Sequence, residues 1–132
     1  MSISVIDKRL DIFAPITKLA IVGSRSFLNY DLLRNAIDAI RITYPNINLI
    51  ISGGATGADK LGERYAQQNR ISTKIYLPNW KDNGKAAGVI RNKDIICNAD
   101  VVVAFWDGKS KGTSDSINKA QNYNKLLYIV NF

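Results

Sequence analysis

Apolar residues fall into five short, nearly unbroken runs, Lys18–Val22, Ile47–Ile51, Thr73–Leu77, Asp100–Phe105 and Lys125–Val130. Runs of this kind predict strands covered on both faces, as in a parallel sheet. Between them the apolar spacing turns helical. Leu33, Ile37, Ile40 and Tyr44 predict a first helix that Pro45 stops, and a second opens near Gly57 with Ala58, Leu61 and Tyr65 inward. A third is predicted from about Ala86 to Asn98, and a fourth from Thr113 to about Asn124, with Ile117 and Ala120 against the sheet. Four strand–helix units and a closing strand specify the α/β class: a Rossmann-like three-layer sandwich of about five parallel strands, with helices on both faces. Residues 1–17, which contain Ile12, Phe13 and Pro15, stand outside this rhythm. They are expected to form an arm or an extra edge strand beside a single domain spanning 18–132.

In open α/β sheets ligands bind beyond the carboxyl ends of the strands, and this chain places eight of its nine glycines in post-strand segments, Gly62 alone lying inside a predicted helix. The richest segment is Ile51-Ser52-Gly53-Gly54-Ala55-Thr56-Gly57-Ala58-Asp59. There a strand end, a glycine turn and a helix start coincide, so free N–H groups and the positive end of a helix dipole suit a phosphate. The first loop supplies Gly23, Ser24, Arg25 and Ser26, two hydroxyls and a guanidinium fit for a phosphate or carboxylate. The third carries Asn79, Trp80, Lys85, Arg91 and Asn92. Trp80 suits either base stacking or cover for an edge of the core, and a cation near a helix start calls for an anionic partner. The fourth holds Ser110, Gly112, Thr113 and Ser114, with Thr113 and Ser114 as ordinary helix caps. The dinucleotide fingerprint fails at Ser52, and the P-loop pattern fails at Val103.

Composition narrows the chemistry. With no histidine, Ser–His–Asp and Cys–His machinery is excluded, and a single cysteine, Cys97, excludes a disulfide framework and a thiolate metal cluster. Cys97, among Ile95, Ile96 and Ala99, is expected in the core. No metal site and no cofactor are identified. Eighteen Lys and Arg against eleven Asp and Glu give a net charge of +7, which favours anionic partners. The cations are scattered from Lys8 to Lys125, which speaks against a dedicated nucleic-acid surface; Trp80 and Trp106 speak for one. No membrane span or export signal is read, and a reducing cytoplasmic setting is expected.

Taken together, Gly23-Ser24-Arg25, Ser52-Gly53-Gly54-Ala55-Thr56-Gly57-Ala58-Asp59, Pro78-Asn79-Trp80 with Gly84, Gly88 and Arg91-Asn92, and Ser110-Lys111-Gly112-Thr113 resemble the SLOG superfamily. The chain is most similar to its small single-domain YspA/YpsA-related branch. The resemblance implies a strand-end pocket for nucleotides or nucleotide-derived molecules, lined by Gly23, Ser24, Arg25, Gly53, Gly54, Gly57, Asp59, Arg91, Asn92, Gly112 and Thr113. It also implies a homodimer and, in some members, nucleotide sensing in microbial or phage conflict systems. Other members are phosphoribohydrolases or bind single-stranded DNA. Their hydrolase motif, Pro-Gly-Gly-x-Gly-Thr-x-x-Glu, is matched here by Gly108 to Ser116, with Ser116 where the glutamate stands. A carboxylate is needed beside an oxocarbenium-like centre; Asp59, Asp107 and Asp115 are the candidate substitutes. The leading expectation is a module that senses or sequesters a nucleotide-type ligand, such as an ADP-ribose-like or cyclic nucleotide. The alternatives are a nucleotide hydrolase and a single-strand binder.

Overall fold

Six strands form one sheet in a computed structural model, which describes residues 2–132. They are β1 (Ser2–Asp7), β2 (Lys18–Gly23), β3 (Leu49–Ser52), β4 (Ser72–Ile75), β5 (Val101–Trp106) and β6 (Leu126–Asn131), in the order β1-β6-β5-β2-β3-β4. The five strands from β2 onward run parallel, and β1 pairs antiparallel with β6, Ser2 opposite Asn131 and Asp7 opposite Leu126. Met1 lies outside the described residues; the rest of the segment 1–17 contributes this edge strand and the turn that leads into β2.

Helices α1 (Tyr30–Thr43), α2 (Ala58–Gln68), α3 (Trp80–Asn83), α4 (Ala87–Cys97) and α5 (Lys111–Asn122) occupy the crossovers. Right-handed connections carry α1 and α2 to one face of the sheet, and the chain beyond β4 carries α4 and α5 to the other. Two cores result. One joins Leu33, Ile37, Tyr65 and Ala66 to Leu19, Ile21, Ile50 and Val103; the other joins Ile95, Ile96, Ile117 and Ala120 to Ala20, Val22, Ile51 and Val102. Alternate strand residues therefore point to opposite cores, as the two-residue period requires. Phe27 seals one end of the first core, stacked 4.6 Å from Phe105 and edge-on at 4.8 Å to Phe132. This three-layer, mostly parallel α/β arrangement is the Rossmann-like sandwich that the apolar rhythm specifies.

Boundaries differ from the expected ones where local chemistry intervenes. The third parallel strand ends at Ile75 rather than Leu77, because its neighbour β3 ends at Ser52, whose carbonyl accepts the last bond from the N–H of Tyr76. All four of its residues are exposed, because it is the open edge of the sheet. The third helix is preceded by a separate short helix and a 3₁₀ turn at Gly84–Ala86, broken where Gly84 adopts a φ of 54°. The fourth starts at Lys111, with Ser110 as its cap: Ser110 Oγ accepts from the N–H of Thr113, so neither Thr113 nor Ser114 caps it. Gly88 and Gly112 thus lie inside helices, not in loops. Cys97 is exposed rather than in the core, since Ile95 and Ile96 take the inward positions of that turn.

One glycine sets the distance between helix and sheet. A Cβ on Gly62 would come within 2.9–3.0 Å of the Ile21 side chain, a stiff β-branched neighbour. A Cβ on Gly88 meets only Trp80, at 3.9 Å. Gly62→Val is expected to destabilise the fold by about 1–3 kcal/mol through overpacking. Gly88→Ala is expected to stabilise it by about 0.5–1 kcal/mol through helix propensity. Urea midpoints of the two variants against the parent chain check both signs.

Candidate functional site

Chains leaving the carboxyl ends of β2 and β5, neighbours at the centre of the sheet, cross to opposite faces, and a cleft opens above them. Ser24 ties its walls together. Its N–H donates to the Phe105 carbonyl at 2.8 Å, its carbonyl accepts from the N–H of Ala58 at 3.4 Å, and its Oγ accepts from the N–H of Asp107 at 3.3 Å. Loops after β2, β3 and β5 thereby meet at one buried residue. Gly57 makes the closest approach: with φ at +84°, a Cβ there would lie 2.5 Å from the carbonyl oxygens of Ser24 and Arg25. Only glycine lets the start of α2 press against the first loop.

The cleft encloses about 460 Å³. Of the residues singled out in the sequence, Gly23, Ser24, Arg25, Ser26, Ala55, Asp59, Arg91, Asn92, Asp107, Ser110, Gly112 and Thr113 line it. Val22, Ile95 and Ser116 also line it, beyond the residues that the sequence marks. Val22 and Ile95 read as ordinary core positions. Ser116 was visible only as the serine at the hydrolase glutamate's position; it is buried in the wall.

Other candidates lie outside the lining. Gly53 stands behind the wall, where its carbonyl accepts from Arg91 Nη1 at 2.7 Å. Gly54 turns with φ +73° against Leu77, Thr56 is exposed, and Ser114 sits half-buried in the first turn of α5. Asn79 caps α3, its Oδ1 accepting from the N–H of Asp82 at 3.1 Å. Trp80 and Lys85 are exposed on the short helix and the 3₁₀ turn. Asp115 accepts from Asn92 Nδ2 at 3.0 Å and from Lys119, so its carboxylate is engaged beside the cleft. Trp106 donates its indole N–H to the Ser110 carbonyl at 3.2 Å and braces the fourth loop.

The charged groups of the cleft differ in how they are held. Asp107 Oδ1 accepts from the N–H groups of Lys109 and Ser110, both at 2.8 Å; these hold its pKa below the usual carboxylate value. Arg91 is half-buried, and burial lowers its pKa. Its Nε donates to Asn92 Oδ1 at 3.0 Å, so two bonds orient the guanidinium. Arg25 is exposed at the mouth. The N–H groups of Arg25, Ser26 and Gly112 find no acceptor among the described residues and remain available to an anion. Asp59 is 6% exposed, and burial pushes its pKa up to about 6 despite a 3.2 Å bond from the N–H of Ala55 and the attraction of Arg91.

The model of the "YspA, cpYpsA-related SLOG family" matches residues 17–82, half of the chain, including the first two glycine loops. The chain belongs to this family. It is also 30% identical over 121 residues to the Gene 61 protein of Mycobacterium phage D29, covering 87% of this chain and 95% of that protein. Among solved structures it is similar to the X-ray structure of TM1055, with a TM-score of 0.60 and 21% identity, covering 83% of this chain and 71% of that one; this likeness concerns the fold. SLOG membership carries a nucleotide-related role, in binding or processing. Arg91 and the α5 start, which complete the cleft, lie beyond the matched span. Among the described residues no helix is long and apolar enough to cross a membrane.

Asp59 makes a pH-dependent prediction about stability. Its folded pKa lies above its unfolded one, so the native state holds the proton more tightly between about pH 4 and 6. Stability from this group is complete below pH 4 and is lost as pH rises through 6. Asp59→Asn, which keeps an acceptor for Ala55, is expected to be more stable than the parent at pH 8 by up to about 3 kcal/mol. The difference should close near pH 4, as read from urea midpoints of both proteins across that range.

Proposed function

We propose that the chain captures a small nucleotide-derived anion in this cleft, as a sensing or sequestering module. The observation carrying this reading is the convergence of Arg25, Arg91 and three unpaired backbone N–H groups on a single 460 Å³ cavity in a nucleotide-related family. The volume suits a small-molecule site. The phosphate lies by the Arg25, Ser26 and Gly112 amides, where the start of α5 adds its dipole and Arg25 its charge. Capture is favoured over cleavage by a specific feature: the wall carries Ser116 at the hydrolase glutamate's position, and two of the three candidate carboxylates, Asp107 and Asp115, are committed to neighbouring groups, which leaves Asp59 alone.

Thermal-shift and calorimetric titration with AMP, ADP, ADP-ribose and cyclic AMP tests the reading. At least one is expected to bind, and saturation at 100 times its Kd stabilises the fold by about 2.7 kcal/mol. Arg25→Ala, at an exposed position, is expected to weaken that binding about tenfold, the lower end of what a charge-assisted hydrogen bond contributes. Lys18→Ala at the opposite end of the sheet should leave it unchanged. Chromatography should recover the bound nucleotide intact. Absence of binding across the panel overturns the reading, and release of free base or ribose phosphate replaces capture with hydrolysis.

A further inference from the structure

Asp59 is the ionisable group of the cleft whose neighbours do not account for its charge. Asp107 is held by two N–H groups, and Arg91 by Gly53 and Asn92. Asp59 is almost wholly buried, yet it makes no ion pair among the described residues; the attraction of Arg91 is countered by the repulsion of Glu63, and burial outweighs the groups that favour its charge. The N–H of Ala55, to which that of Gly53 adds, occupies only part of a carboxylate's roughly four acceptor positions. A helix start with bonded amides normally lowers a carboxyl pKa, but here burial outweighs both. A purely structural cap would not carry that cost. The spare acceptor capacity borders the cavity and calls for a ligand that donates hydrogen bonds.

Strand order says which part of the ligand stands there. Gly112 follows β5, the Arg25 and Ser26 amides follow β2, and Asp59 follows β3, with β2 between the other two strands. Adjacent strands lie about 4.8 Å apart, so the outer two are separated by roughly 10 Å. Asp59 repels a second phosphate. In a 5′-nucleotide the ribose follows the phosphate, and its adjacent hydroxyls match the two oxygens of one carboxylate.

We propose that Asp59 accepts the vicinal hydroxyls of a ribose, which makes the cleft selective for ribonucleotides over deoxyribonucleotides. This rests on the nucleotide reading above and deepens it by naming the sugar. A site built to bind a hydroxyl disfavours the analogue lacking it, because the buried acceptor is left without its partner.

The test is calorimetric titration of the full chain and of Asp59→Asn with AMP, 2′-deoxy-AMP and 3′-deoxy-AMP. The parent chain is expected to bind AMP at least tenfold more tightly than either deoxy form. In Asp59→Asn that ratio should fall below threefold, with deoxy-AMP affinity unchanged or improved. The ratio is measured within one protein, so a general loss of structure does not move it. Equal binding of all three by the parent chain overturns the assignment while leaving nucleotide capture standing. An undiminished ratio in Asp59→Asn overturns the role of Asp59. If none of the three binds while cyclic AMP, whose 3′ oxygen is locked in the phosphate ring, does, this sugar assignment falls alone; if ADP-ribose alone binds, an Asp59→Asn affinity equal to the parent's overturns it. If no nucleotide binds, the capture reading falls and this one with it.

Discussion

Everything at the strand-end cleft hangs on the divergence of β2 and β5 and on Ser24, which bridges the gap that divergence opens. The chain after β2 passes to one face and the chain after β5 to the other, so no loop can cross the space between them. Left alone, such a cleft would have mobile walls. Ser24 uses its N–H and hydroxyl on the end of β5, at Phe105 and Asp107, and its carbonyl on the start of α2, so one residue ties both walls. Gly57 adds a backbone contact that no side chain would permit.

On the far side, Arg91 and Asn92 do related work. Arg91 grips the Gly53 carbonyl, and Asn92 links it to Gly112 and Asp115 on α5. Helices α4 and α5 are thereby tied to the turn after β3. Burial disfavours the charge of Arg91, in the second turn of α4, and the carbonyl bond together with the charge of Asp59 offsets that cost. The result is a cavity of mixed sign, with Arg25 and free amides after β2, a free amide at Gly112 after β5, and a buried carboxylate after β3. Such a charge gradient orients a ligand as well as attracting it.

Asp59 illustrates how a site trades stability for chemistry. Its ionised form is disfavoured by burial, and two backbone bonds do not repay this. Replacing it by asparagine relieves a cost that the fold alone has no reason to carry, and residues of that kind concentrate where ligands bind. Ser116 shows the converse. A small hydroxyl fills a buried place in the wall where related hydrolases hold a carboxylate, and this removes charge from the side of the cleft nearest the amides.

The sequence by itself determined the layers, the parallel strands and the loops that carry the site, because both-face burial and helical spacing are periodic signals written along the chain. It also marked Arg25, Asp59, Arg91 and Gly112, since glycine turns and charges beside helix starts are local chemistry. Packing alone decided which of those loops meet. Trp80 and Lys85 sit in a segment as rich in candidate residues as any other, yet the short helix that Asn79 starts carries them away from the wall. Cys97 turned outward for the same reason: neighbours in sequence share a helix but not a face. Strand order placed Asp59 about two strands from the Gly112 amide, and that separation depends on pairings between residues far apart in the chain, which no local pattern records.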